Sequence, residues 1–130
     1  MDHCRARASL SAPGPVDIAW TSDNYHDLYG FFGIDAAAQF DQAVYRMLRP
    51  GGVFIVIDHV GAPGIDVAGI THLHRIDPAI VKAQVLAAGF KFVSESPVLH
   101  NAADGHDQAV FAPTIRGHTD QFVFKFRKPG

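Results

Sequence analysis

The feature that most restricts this chain is the apolar run Val53-Phe54-Ile55-Val56-Ile57, which follows Pro50-Gly51-Gly52 and leads into Asp58-His59. Proline and paired glycines stop a helix arriving from Met47-Leu48, so the segment reads as helix, tight turn, then a strand over Val53 to His59. Unbroken rather than alternating hydrophobicity suits a strand covered on both faces, as in the parallel sheets of α/β proteins. Ligands of such sheets gather at the carboxyl ends of the strands, where Asp58 and His59 are expected.

A second apolar segment, Val16 to Trp20, runs into the polar stretch Thr21-Ser22-Asp23-Asn24-Tyr25-His26-Asp27 and predicts a strand with its carboxyl-end loop. Between the two strands, Phe40, Ala43, Val44, Met47 and Leu48 fall on one helical face, with Asp35 as the expected N-cap. Strand, helix, turn and strand make a βαβ unit, whose two strands should be parallel neighbours. Val60 to Gly69 reads as a mobile loop over the strand ends. Asp77-Pro78 predicts the start of a second helix, with Ile80, Val81, Val85 and Ala88 buried and Gly89 as terminator. Phe90 to Ser94 predicts a third strand, and Pro97 to Gly117 a loop. In Gln121 to Arg127 the phenylalanines 122, 124 and 126 alternate onto one face, which predicts a strand with one wetter side, antiparallel at or near a sheet edge. The fold class is therefore α/β with two main helices.

At 130 residues the chain supports one domain. Its 11 basic and 13 acidic residues give no field that would favour nucleic acid or an anionic membrane, so neither is expected as a partner. No apolar run approaches the roughly 20 residues of a membrane span, and the amino terminus lacks the apolar stretch of a signal peptide; a cytoplasmic protein is the default expectation. Cys4 is the sole cysteine, which excludes an intrachain disulfide and a cysteine-based zinc site. Residues 1–15 are expected to be a disordered or non-native lead, and 16–130 the domain.

Val16 to Leu28 with its Asn24-Tyr25-His26-Asp27, Leu48 to Val53 with Asp58-His59, Leu73-His74-Arg75-Ile76-Asp77, and Ala87-Ala88-Gly89-Phe90 carry a resemblance. Together they resemble the carboxyl-terminal half of a bacterial class I S-adenosylmethionine-dependent methyltransferase, within a group of predicted small methyltransferases. The resemblance implies a partial Rossmann-like sheet made of the fourth to seventh strands, the last antiparallel. The first three strands have no counterpart, and with them go the glycine-rich turn that approaches the cofactor and the acidic residue that holds its ribose. Gly30-Phe31-Phe32-Gly33 and Gly61-Ala62-Pro63-Gly64 lack the flanking strand and helix that would make them substitutes. Half a sheet leaves Val16 to Trp20 with an unpaired edge, so the chain is expected to be a fragment, poorly stable alone or self-associating through that edge.

The implied activity is methyl transfer from S-adenosyl-L-methionine to a small-molecule acceptor, with the cofactor bound by the complete enzyme. His26, Tyr25, Asp58 and His59 are the candidate catalytic residues, His26 as base because its unperturbed pKa lies near neutrality. Trp20, Thr21 and Asn24 are candidates for cofactor binding, and Asp27, His74 and Arg75 for substrate binding. Each has a plainer reading: Tyr25 to Asp27 as caps of a following helix, Asp58-His59 as a satisfied structural pair, Trp20 as core. Asp17, inside an apolar strand, needs a partner. His72 and His74 share a face if extended, a metal-compatible spacing, but with no third ligand placed no metal is expected. The alternative function is a non-catalytic interaction module that pairs with another chain through the exposed sheet edge.

Overall fold

The computed structural model describes residues 14 to 130; Cys4 and most of the expected lead lie outside the described residues. Four strands, β1 (Val16–Ser22), β2 (Leu48–His59), β3 (Lys91–Ser96) and β4 (Gln121–Arg127), form one sheet in the order β1-β2-β4-β3. β1 and β2 are parallel, and β4 runs antiparallel to both β2 and β3. The parallel pair and the antiparallel last strand are as the sequence predicts, with β4 one place in from the edge.

Four helices accompany the sheet where two were expected: α1 (Tyr25–Phe32), α2 (Ile34–Met47), α3 (Val67–Leu73) and α4 (Pro78–Ala87). α1 and α3 begin within the stretches Thr21 to Asp27 and Val60 to Gly69, which read as loops because eight and seven residues are too short to display a helical period. α2 starts earlier than expected, with Gly33 rather than Asp35 at its N-cap; Asp35 lies in the first turn, where a negative charge meets the positive end of the helix dipole. α4 begins as its sequence dictates: Pro78 takes the first position and the Asp77 carboxylate accepts from the Ala79 amide at 2.9 Å.

The turn expected at Pro50-Gly51-Gly52 is a kink within β2. Gly51 takes a φ of +83°, its amide donates to the Lys128 carbonyl at 2.8 Å, and Lys128 donates back to Gly52 at 2.9 Å. The register with β1 slips here, from Val16 opposite Leu48 to Ile18 opposite Val53. At the kink Asp17 finds its partner in Arg49, an exposed pair that contributes little to stability.

Beyond the kink, β2 is covered on one face only, contrary to the two-sided burial predicted from its composition. Phe54, Val56 and Asp58 are buried, while Val53, Ile55 and Ile57 are half-buried. The covered face packs Phe54, Val56, Phe122, Phe124 and Phe126 against Tyr25, Val44, Val81, Val85 and Phe90. The rings of Phe54 and Phe90 lie 5.4 Å apart, and those of Phe92 and Phe126 5.7 Å apart. Each fully buried ring of this layer, Phe54, Phe90, Phe122, Phe124 and Phe126, is worth about 2–3 kcal/mol, so this layer dominates the stabilisation. On the opposite face Ile18 and Trp20 stand beside Val53 and Ile55, with 59% and 73% of their surface exposed. Among the described residues no helix is long and apolar enough to cross a membrane.

Candidate active site

Asp58, the next-to-last residue of β2, has its carboxylate fully buried, and every contact it makes points to one place. Oδ2 accepts from the His26 amide at 2.7 Å; Oδ1 accepts from His26 Nδ1 at 2.7 Å and from the His59 amide at 2.8 Å. The Asn24 side chain makes no capping bond to α1, so Asp58 satisfies that helix start from the neighbouring strand. Asp23, at φ +58°, donates its amide to the Ile57 carbonyl at 2.9 Å, which fixes the crossing from β1 into α1 directly above the end of β2. The two polar strand tips therefore meet in one cleft.

With Nδ1 donating to Asp58, His26 keeps Nε2 as its free lone pair. That atom lies 3.4 Å from Asp27 Oδ1, and His74 Nδ1 lies 3.6 Å from the same oxygen. The His26 ring is 5.5 Å from His74, edge-on, and 5.9 Å from His59. His59 is anchored by Thr119 Oγ1 on Nδ1 at 2.7 Å, and its Nε2 is 3.5 Å from Asp23 Oδ1.

The environments separate the two central imidazoles. Burial disfavours the charged form of His26, but the Asp58 hydrogen bond and charge, with Asp27 and Asp23 behind them, outweigh it and raise its pKa above the usual histidine value. For His59, burial dominates over the attraction of Asp23 and Asp58 and lowers the pKa. Asp23 is raised, chiefly by desolvation. Two neighbouring groups pushed apart in this way suit proton transfer.

A cavity of about 420 Å³ opens beside His74 and Asp27. Thr21, Asn24, Asp27 and His74 supply its polar wall; Tyr25, Leu28, Phe31, Phe32 and Phe40 supply the apolar one. This volume and mixture are those of a small-molecule site.

Three of the expected site residues point elsewhere. Trp20 is not stacked in the core; the register places it beside Ile55 on the uncovered face, away from the cavity. Arg75, expected at the acceptor, is fully buried: Nη1 and Nη2 grip Asp104 at 2.8 and 2.9 Å, Nη1 also donates to the Val60 carbonyl and Nε to that of Gln108. It ties the 97–117 loop to the end of β2. Tyr25 has its hydroxyl turned into the core, donating to Asp41 at 2.6 Å. Desolvation, then the Asp41 charge, raise its pKa far above the ordinary phenol range. His72 and His74 are not extended, since α3 runs to Leu73 and His74 closes it in the left-handed conformation.

Thr119, Asp104 and Asp41 were missed. Asp41 had a signal, since Ala37, Asp41, Val44 and Leu48 follow helical spacing onto one buried face. Thr119 and Asp104 lie in a loop without period, and nothing local announces partners so distant in sequence.

No protein-family model and no curated protein matches this sequence. Solved structures do. The [4+2]-cyclase SpnF superposes with a TM-score of 0.64 at 20% identity, over 95% of this chain and 53% of its own. The N-methyltransferase NodS from Bradyrhizobium japonicum WM9 gives 0.62 at 13% identity, over 95% of this chain and 57% of its own. Its complex with S-adenosyl-L-homocysteine also gives 0.62. A methyltransferase from Clostridium acetobutylicum ATCC 824 gives 0.58 at 11%, over 95% of this chain and 63% of its own.

The chain has part of a methyltransferase-like fold. It spans about half the length of the SpnF and NodS structures it matches. Within this methyltransferase-like sheet, the Asp58–His26 contact lies at the carboxyl ends of the parallel strands, the edge at which such sheets receive ligands.

Proposed function

We propose that this chain contributes to S-adenosylmethionine-dependent methylation of a small molecule, as part of a larger unit. The observation that carries the reading is the buried Asp58–His26 pair beside a cavity of ligand size at the strand tips. Asp58 fixes the ring and tautomer of His26, and Nε2 then takes a proton from an acceptor hydroxyl or amine held against Asp27 and His74. The aromatic wall packs against the apolar part of that acceptor, and Thr21 and Asn24 line the cavity where β1 enters α1.

The bound cofactor supplies an electrophilic methyl group. This chain's residues fit only part of it: Thr21, Asn24 and the aromatic wall offer a polar and stacking surface. The sequence holds no glycine-rich turn, and both Asp58 oxygens are already engaged by N–H donors. The remaining contacts belong to the rest of the functional unit.

Titration calorimetry with S-adenosylmethionine tests the reading, and an Asn24→Ala change should weaken the heat. No binding at millimolar cofactor overturns activity of this chain alone. In a unit that also supplies the glycine-rich turn, His26→Ala should lower kcat about 10²-fold or more, the usual share of a general base. Unchanged turnover across pH would remove the base assignment.

A second reading rests on a separate observation. The fold serves other chemistry, as the cyclase SpnF illustrates, and among the described residues β1 ends the sheet, with Ile18 and Trp20 exposed beside an edge that no described strand pairs. On this reading the chain is a non-catalytic module that pairs with a second copy along β1. Light scattering of the wild type and Trp20→Lys decides it: a dimer weakened by lysine supports pairing, and a monomer at high concentration excludes it.

A further inference from the structure

We propose that His26, Asp27 and His74 bind one divalent transition-metal ion at the mouth of the cavity. One ligand atom from each of His26, Asp27 and His74 lies within 4.8 Å of the others. The two separations from the shared Asp27 oxygen are 3.4 and 3.6 Å. Bonds of about 2.0–2.1 Å in tetrahedral array set ligand atoms roughly 3.3–3.4 Å apart, so the two separations from Asp27 already match to within a few tenths of an ångström, and the two imidazole nitrogens close from within 4.8 Å.

The surroundings are those of a built site. His26 Nδ1 is bound to the buried Asp58 carboxylate, the outer-shell contact that fixes a ligating imidazole's tautomer and aims its other nitrogen. His74 is held at the end of α3 by its amide bond to the Ile70 carbonyl at 2.9 Å, and its ring lies edge-on to Phe111 at 5.1 Å. Asp27 is half exposed in the first turn of α1, free to swing toward either imidazole. These residues reach one point from α1 and the carboxyl end of α3, which sequence spacing alone does not indicate.

Two nitrogens and one carboxylate suit zinc, iron, cobalt or nickel rather than the all-oxygen preference of magnesium or calcium. Three protein ligands leave at least one coordination position open, and the cavity that Asp27 and His74 line is the space it faces. The second cluster, Asp23, Asp58 and His59, is less suited, because both Asp58 oxygens already accept N–H donors and His59 Nδ1 is engaged by Thr119. Metal and proton compete for the same His26 lone pair, so a loaded site polarises an acceptor oxygen in place of the base. That consequence rests on the transferase reading; binding does not.

The test uses Co²⁺ and Zn²⁺ on the full chain carrying His3→Ala and Cys4→Ser, which removes terminal ligands. We expect one ion per chain, visible d–d absorbance with Co²⁺, and displacement by Zn²⁺. His74→Ala and Asp27→Asn, both at partly exposed positions, should each weaken binding at least tenfold, the loss that an outer-shell change alone can bring. His72→Ala and His100→Ala should leave it unchanged. Absence of stoichiometric binding at micromolar metal overturns the site. So does binding that survives both His74→Ala and Asp27→Asn in variants with native circular dichroism. Loss with His59→Ala but not with His74→Ala would move the ion to the other cluster and equally overturn it.

Discussion

Replacing Asp41 by Asn should make this protein more stable in alkaline solution while changing little in acid. Asp41 lies on the buried face of α2 with no exposed surface; Oδ2 accepts from the Tyr25 hydroxyl at 2.6 Å and Oδ1 has no hydrogen-bond partner. Desolvation raises its pKa from 3.8 to about 7, against the smaller lowering effect of the Tyr25 hydrogen bond. A raised carboxyl pKa means the native state holds the proton more tightly than the unfolded chain. Stability is then fully present below the unfolded value of 3.8 and is lost as pH climbs through about 7. At about 1.4 kcal/mol per unit, the whole loss is about 4 kcal/mol, of which about 2–3 kcal/mol falls between pH 5 and pH 8. Asparagine keeps the Tyr25 acceptor and stays neutral throughout. Urea unfolding of both proteins at these two pH values isolates the effect, since the other titrating groups are common to both. The stability difference should widen in favour of Asn by about 2–3 kcal/mol at the higher pH. A difference that stays constant would refute the buried-carboxyl argument.

Arg75→Met should cost about 3–5 kcal/mol, because it leaves Asp104 buried without its cation; a loss under about 1 kcal/mol in urea unfolding would contradict this. Gly30→Ala in α1 should destabilise by about 1–2 kcal/mol despite alanine's better helix propensity. The new Cβ would meet Ile70 Cγ2 at 2.8 Å, and a raised melting temperature would count against that clash. In acid, Asp104 and Asp120 should dominate unfolding. Burial raises both pKa values, but it is outweighed for Asp104 by bonds from Arg75 and the Asp120 and His106 amides, and for Asp120 by bonds from the Asn101 amide, His106 and His100. The net shifts are downward, so this stability is present above the ordinary carboxylate range and vanishes as pH falls through and below it. Asp104→Asn should flatten that limb of a pH–stability profile.

The sequence made the β2 strand, the Asp77-Pro78 helix start and the alternating β4 legible because each is a local signal, a turn or a period carried by adjacent residues. It failed at β2's second face. Continuous apolar composition states how much surface a strand offers, not whether a neighbouring layer is there to cover it, and Val53, Ile55 and Ile57 stay half-buried. The site was half legible for the same reason. Asp58 and His26 could be nominated from strand-end position and His74 from the Leu73 to Asp77 segment that carries the resemblance, but Arg75's commitment to Asp104 joins residues 29 apart in sequence. Asp41's meeting with Tyr25 is likewise tertiary, although its helical spacing hinted at burial.

The division between the two faces of the sheet also separates two properties of the molecule. Everything that positions His26 belongs to the covered side and the strand tips: Asp58 from β2, the Asp23 amide bonded to Ile57, His74 from the end of α3, and the loop anchored by Arg75. None of these contacts involves Ile18, Trp20, Val53 or Ile55, whose side chains occupy the other face. The imidazole cluster therefore assembles without contacts from that face, and on the pairing reading association depends on the face alone. Polar substitution of Trp20 should alter association and leave the His26 and His74 imidazole resonances in place, whereas loss of Asp58 should disturb those resonances and leave the exposed face as it was.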